Sequence, residues 1–235
     1  MTFVKEHRWR IVAVLVAAAV VALGKQFYRD ASAADLRWIL APTAKLVSWF
    51  TGGHFTYESG AGYADYHIGF IIAPPCAGLN FAMAAFLTLL LGSLAVMTSM
   101  RALAVRVAVA GVAAYLATIV VNTIRISIAV AMHRGSIDIG SMDRAEAHRL
   151  EGILVYLGGL CLLYALARAI ESGKRHVTFA IPIAAYLVIT LGLPLVNGAG
   201  ARGEFAHHAM WVLMACAVVM ALAFVIDRHV HRRTA

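Results

Sequence analysis

The chain has 235 residues, of which 62% are hydrophobic and only 14% charged. Soluble domains carry about 45–50% apolar and about 25% charged residues, so this balance excludes a water-soluble domain and is that of an integral membrane protein. The formal net charge of +8 does not mark a nucleic-acid binder, because the basic residues gather at the ends of apolar runs, where membrane proteins keep them.

Residues 1–10 form a basic head with Lys5, Arg8 and Arg10. Ile11 to Leu23 is apolar and, with its flanks, approaches the ~20 residues a span needs. No A-x-A-like site follows it, so it reads as an uncleaved span. Leu36, Ile39, Leu40, Leu46, Val47 and Phe50 then recur at helical spacing. This predicts an amphipathic helix at the interface, over 34–51. Thr51 to His67 holds four glycines and four aromatics and reads as an extracytoplasmic loop or short hairpin on the membrane surface. Ile68 to Ala73 is a short apolar approach to Pro74-Pro75. The second span is Ala77 to Met97, the third Leu103 to Met132, the fourth Leu150 to Ala169, the fifth Val177 to Val196 and the sixth Ala209 to Ile226. A polar loop over 133–149, a shorter one over 197–208 and a basic tail from Asp227 complete the chain. The expected fold is an all-α polytopic membrane bundle of about six spans. An interfacial helix and a periplasmic loop accompany it, within one domain over 1–235.

Six spans put both termini on one side. That side carries eleven Lys and Arg in short segments; the other carries eight, mostly in longer ones. The positive-inside rule weights short loops most, so both termini are expected in the cytoplasm of a cell inner membrane.

The chemistry centres on Pro74-Pro75-Cys76-Ala77-Gly78-Leu79-Asn80. Proline is tolerated just before a helix or in its first turn. Cys76 is therefore expected at a helix start, facing the positive end of the dipole, a setting suited to a nucleophile. The topology places Cys76 at the outer face. Arg125 lies about seven residues, or ~10 Å, before the outer end of the third span. His148 lies just before the fourth. Three residues remote in sequence thus converge on one layer near the outer surface. Thiol, imidazole and guanidinium suit acyl transfer, as nucleophile, proton shuttle and oxyanion stabiliser. A cysteine at a helix end can equally be structural, and Arg125 can snorkel to the interface. An arginine inside a span is nonetheless costly and normally lines a site. Asn122 shares a helix face with Arg125 and can orient it, or can pack between spans. Asn80 lies four residues after Cys76 and is expected to share its face as a supporting site residue. His133 is a rival to His148, and Glu151 stands near His148 as a tautomer holder or, more simply, an exposed rim carboxylate. Cys161 and Cys216 are expected to pack in the apolar core. Three scattered cysteines make neither a disulfide framework nor a CxxC metal site, so no metal and no cofactor is expected.

Cys76-Ala77-Gly78-Leu79 at a helix start, Asn122-Thr123-Ile124-Arg125-Ile126 in a later span and His148-Arg149-Leu150-Glu151-Gly152 opening the next together resemble the exosortase/archaeosortase family. The likeness covers residues 65–170, and Cys-Ala-Gly-Leu-Asn-Phe with His-Arg-x-Glu-Gly is similar to the K-type exosortases. The chain is shorter than many members. The resemblance implies a membrane cysteine transpeptidase that cleaves a C-terminal sorting signal outside the cytoplasmic membrane. That signal is typically a Pro-Glu-Pro motif, a transmembrane helix and a basic cluster. It assigns the nucleophile to Cys76, the transition-state arginine to Arg125 and the acid/base to His148. The implied partners are a substrate protein carrying such a signal and membrane lipids, with no nucleic acid. A hydrolytic cysteine protease or thioesterase, and a non-enzymatic scaffold or transporter subunit, are the competing expectations. A transporter needs polar residues near the midplane, and spans one, five and six have almost none. The sequence leaves the substrate, the acceptor and the oligomeric state open.

Overall fold

A computed structural model describes residues 2–135, 143–172, 179–201 and 203–234. Parts of the expected turns, 136–142, 173–178 (with Lys174 and Arg175) and 202, lie outside the described residues. The chain is an all-α polytopic bundle carrying one small sheet. Its helices are α1 (Thr2–Asp30), α2 (Arg37–Thr51), α3 (Leu79–Gly92), α4 (Met100–Gly135), α5 (Arg144–Ser172), α6 (Ala180–Leu187), α7 (Leu193–Val196) and α8 (Gly203–Thr234).

Among the described residues, five stretches are long and apolar enough to cross a membrane: His7–Asp30, Pro74–Gly92, Met100–Gly135, Ala145–Glu171 and Gly203–Leu222. The expected fifth span is a shorter apolar stretch, Ala180–Val196, broken by a π turn at Val188–Gly192. Pro194 accounts for the break: it has no N–H to offer the carbonyl four residues back, so the helix loses its regular ladder there. α1 also runs past the apolar stretch that ends at Leu23, because Lys25 finds polar partners inside the bundle. α5 starts at Arg144, so His148 stands within its opening turns rather than in a loop ahead of it.

α3 is the central helix. Its window is 61% buried, against 17–28% for the other four, and it packs on α1, α4, α5 and α6. The other long helices expose apolar residues such as Leu15, Leu23, Val112, Leu116, Leu162 and Ile170. A soluble protein would bury such side chains; a bilayer solvates them.

α2 has 15 residues, fewer than a span requires. It buries one face, Ile39, Leu40, Thr43, Ala44 and Val47, and leaves Trp38, Trp49 and Phe50 exposed. The expected loop or short hairpin is a hairpin of β1 (Thr56–Glu58) and β2 (Gly62–Asp65), which β3 (Phe70–Ile72) extends to a three-stranded antiparallel sheet in the order β1-β2-β3. β-Branched and aromatic residues between glycine turns favour it. The segment approaching the prolines becomes β3 because β2 offers it a paired edge. Tyr63 and Ile72 pack with Leu36, Ile39, Leu40 and Val47 in one buried cluster, which reaches Ala77, Leu79, Ile119, Ile126 and Val130. The cap thereby grips the Pro74–Ala77 turn and α4.

Asp65 ties the cap together. The residue is 3% exposed, and its carboxylate accepts from the backbone N–H of His54 (2.5 Å), His67 (3.0 Å) and Ile68 (3.2 Å). Burial opposes its ionisation. The donated bonds from His54, Ile68 and His67, with the nearby His67 ring, outweigh that and hold its pKa below the ordinary value. A depressed carboxylate pKa stabilises fully above the unfolded value of about 3.9, and the gain is lost as pH falls through the folded value. Hydrogen exchange across 53–72, corrected for intrinsic rates, should therefore stay slow near neutral pH and accelerate below about pH 4. Asp65→Asn should make exchange fast throughout and remove the pH dependence.

Candidate active site

Cys76 lies in a 3-10 turn, Pro74–Ala77, set off from α3 by Gly78. Its residue is half-buried. The turn cannot satisfy its own backbone. Pro74 and Pro75 have no N–H, and Gly78 turns the chain left-handed at φ +74°. The Cys76 N–H bonds back to the Ala73 carbonyl at 2.8 Å, and the 3-10 pattern runs on to Ala77. The carbonyls are claimed from outside. Tyr28 of α1 donates its hydroxyl to the Pro75 carbonyl at 3.1 Å and lies 3.4 Å from that of Pro74. Asn122 of α4 donates Nδ2 to the Cys76 carbonyl at 2.6 Å. Gly78 is required twice over. Its φ suits glycine, and a Cβ there would stand 3.1 Å from both Asn122 Cγ and Thr118 Cγ2.

Asn122 is fully buried, and its Oδ1 accepts from the Tyr156 hydroxyl of α5 at 2.8 Å. Tyr156 thus stands behind Asn122, and its ring packs on Phe81 of α3. The same ring lies under the guanidinium of Arg125, with Cζ 5.3 Å from its centroid. Arg125 Nη2 is 3.2 Å from His148 Nε2. A guanidinium only donates, so Nε2 accepts and the ring proton sits on Nδ1. Nδ1 faces Glu151 Oε2 at 3.5 Å. The order of groups is Glu151, His148, Arg125, with Tyr156 beneath. Cys76 lies within electrostatic reach of both Arg125 and Tyr28.

The structure therefore brings Cys76, Arg125, His148 and Asn122 together from α4, α5 and the Cys76 turn. Asn80 goes elsewhere: its Oδ1 accepts from Lys25 Nζ at 2.7 Å, and the same ammonium lies 3.5 Å from the Ile189 carbonyl in the π turn. Its link is to α1, because four residues separated by a left-handed glycine do not share a helix face. His133 is exposed beside Phe70 of the cap, away from Arg125. Glu151 is no rim carboxylate. Its side chain is 8% exposed, and both oxygens, like Arg125 Nε, are buried without a hydrogen-bond partner among the described residues. Gly152 makes room for this arrangement, since a Cβ there would sit 3.1 Å from Arg125 Nε. Tyr28 and Tyr156 escaped the sequence reading. Tyr156 had a signal, for it follows His148 and Gly152 at i+8 and i+4 on one face. Tyr28 had none. Cys161 and Cys216 are buried in the bundle, as expected. Among the described residues no three His, Cys, Asp or Glu side chains group as metal ligands.

No family model, no curated protein and no solved structure matches the chain.

Loss of Asn122 strands a buried carbonyl and a tyrosine hydroxyl at once. Asn122→Ala should cost about 1–3 kcal/mol in thermal unfolding of the detergent-solubilised protein. Tyr156→Phe should cost less. The double variant should fall short of the sum of the two, because both act through one chain of hydrogen bonds.

Proposed function

We propose that this chain is a membrane-embedded cysteine transpeptidase of the exosortase kind, acting on C-terminal sorting signals at the outer face of the inner membrane, with both termini in the cytoplasm. What carries the reading is the convergence of a thiol, a guanidinium and an imidazole, remote in sequence, on one end of a lipid-facing bundle. The likeness of the three motifs to the exosortases supports it. So does the cost of keeping Arg125 partly buried with no carboxylate bonded to it among the described residues.

In this reading the substrate carbonyl takes a hydrogen bond from Arg125, which releases Nε2 of His148. The imidazole accepts the Cys76 proton and the sulfur attacks the carbonyl carbon, giving a tetrahedral oxyanion paired with Arg125. The imidazolium returns its proton to the leaving amine as the C–N bond breaks. A thioester to Cys76 remains. An amine acceptor, or water, attacks it, loses a proton to His148 and frees the thiol. Asn122 and Tyr28 hold the Cys76 turn still through these steps by its carbonyls. Glu151 keeps the imidazole in the Nδ1–H form.

The substrate's transmembrane helix needs a lateral entrance. An open apolar groove of about 610 Å³ runs between α4 and α5, lined by Leu116, Val120 and Ile124 on one side and Leu154, Gly158 and Leu162 on the other. It leads to the site, because Ile124 precedes Arg125 and Leu154 follows Gly152 by two residues. A Cβ on Gly158 would meet nothing within 4 Å, so this glycine serves no packing within the chain. Small residues at such a position let a second helix approach closely.

Cys76→Ala should abolish processing of a substrate with a C-terminal anchor while the protein still inserts, and processing at the wild-type rate would sink the proposal. Arg125→Lys should lose at least about tenfold, since an ammonium cannot donate in two parallel directions. Mass spectrometry of the new C-terminus separates transfer from hydrolysis: an added group means transfer, a free carboxylate means water. Gly158→Leu should slow processing of the anchored substrate while leaving alkylation of Cys76 by a small impermeant reagent unchanged. Slowing of both would assign Gly158 to the fold.

A further inference from the structure

At the same end of the bundle as Arg125 and His148, but on another face of α5, a second pocket opens between the first turns of α5 and α8. It has a volume of about 490 Å³ and is lined by Arg149, Ala199, Gly203, Glu204, Phe205 and His208. Arg149 follows His148 by one residue and so projects about 100° further round the helix. That turn takes it away from Arg125 and onto α8.

Two features give the pocket a positive side, and a histidine lies beside them. The guanidinium of Arg149 forms no hydrogen bond or ion pair with any described residue. The His208 ring lines the pocket with it and can donate or accept a hydrogen bond. Gly203, Glu204 and Phe205 form the first turn of α8, a 32-residue helix whose opening N–H groups have no intrahelical acceptor and point outward at the positive end of the dipole. Phosphate and carboxylate groups bind in such settings. One feature gives the pocket a negative side. Glu204 is exposed on the lining, whereas the neighbouring Glu146 lies 3.5 Å from His207. A simple anion gains from Arg149 but is repelled by Glu204. A molecule bearing a phosphate and, a few ångströms away, an ammonium matches both signs. The pocket also lies at helix ends in a chain whose outward faces are apolar, which is the level of lipid headgroups.

We propose that this pocket binds a phosphoethanolamine headgroup, with its phosphate toward Arg149, His208 and the α8 N-terminus and its ammonium toward Glu204. The headgroup can belong to a phospholipid or arrive as the free compound. Neither source involves Cys76, so the proposal stands or falls separately from the transpeptidase reading.

Native mass spectrometry of the full chain, purified in detergent, tests it with phosphatidylethanolamine, phosphatidylglycerol and free phosphoethanolamine as probes. Wild type should retain phosphatidylethanolamine more tightly than phosphatidylglycerol. Arg149→Gln should weaken phosphatidylethanolamine about tenfold, the loss of one charge-assisted hydrogen bond. Glu204→Gln should erase the preference between the two lipids without weakening phosphatidylglycerol. Cys76→Ala should bind as wild type does. Displacement of the lipid by free phosphoethanolamine would identify the headgroup alone as sufficient; failure to displace it would assign the site to the lipid. Equal retention of both lipids by wild type, or unchanged phosphatidylethanolamine binding by an Arg149→Gln protein that elutes as wild type, would overturn the proposal.

Discussion

The site rests on one hydrogen bond, from Asn122 to the Cys76 carbonyl. Two prolines and a left-handed glycine produce a turn that cannot satisfy itself, within a bundle whose surroundings offer little water. An unpaired carbonyl there costs as much as a lost hydrogen bond, so another element has to supply the donor. α4 does so through Asn122, and α1 does so through Tyr28. Asn122 is in turn fixed by Tyr156. The position of the thiol relative to α4 and α5 is therefore set by side chains that bind the backbone on either side of it, together with the cluster against which Cys76 packs.

The second constraint is the charge on Arg125. A guanidinium taken partly out of water needs compensation, and here it comes in several small parts rather than from one bonded carboxylate. The Tyr156 face lies under it, His148 Nε2 accepts from it, and Glu151 stands behind the imidazole. Such a cation keeps donors free. Its Nε is buried without a hydrogen-bond partner among the described residues, and the imidazole lone pair it now holds can be exchanged for another acceptor. A tight Arg–carboxylate pair would have been worth more to stability and would have left nothing to offer a ligand.

The sheet cap and the bundle depend on each other through the same turn. The cluster under the sheet reaches from α2 through Ile72 to Ala77, Leu79 and α4, so burying the amphipathic face of α2 also presses the Cys76 turn onto α4. Asp65 keeps the sheet in register by gathering three backbone N–H groups that would otherwise lie buried and unpaired. On the opposite flank, α5 turns one face to α4 and the next to α8. His148 and Arg149, adjacent in sequence, consequently serve two different clefts.

The membrane class, the all-α bundle, the amphipathic α2 and the gathering of Cys76, Arg125, His148 and Asn122 were legible in the residues. Hydrophobic runs of span length and the alternation of sides they impose are properties of the chain taken one segment at a time. The neighbours of Asn80, the burial of Glu151, the three-stranded cap and the part played by Tyr28 were not legible. Each depends on which helix lies beside which, and on the angle at which it meets its neighbour. Asn80 could point to Cys76 or to Lys25, and only the left-handed break at Gly78 and the approach of α1 send it to Lys25. Glu151 could face solvent or the bundle, and the packing of α5 on α4 turns it inward. Sequence alone determined which polar residues fall within or beside apolar runs of span length. Tertiary structure decided which of them meet, because hydrogen bonds between spans depend on helix rotation and approach, and no single span carries that information.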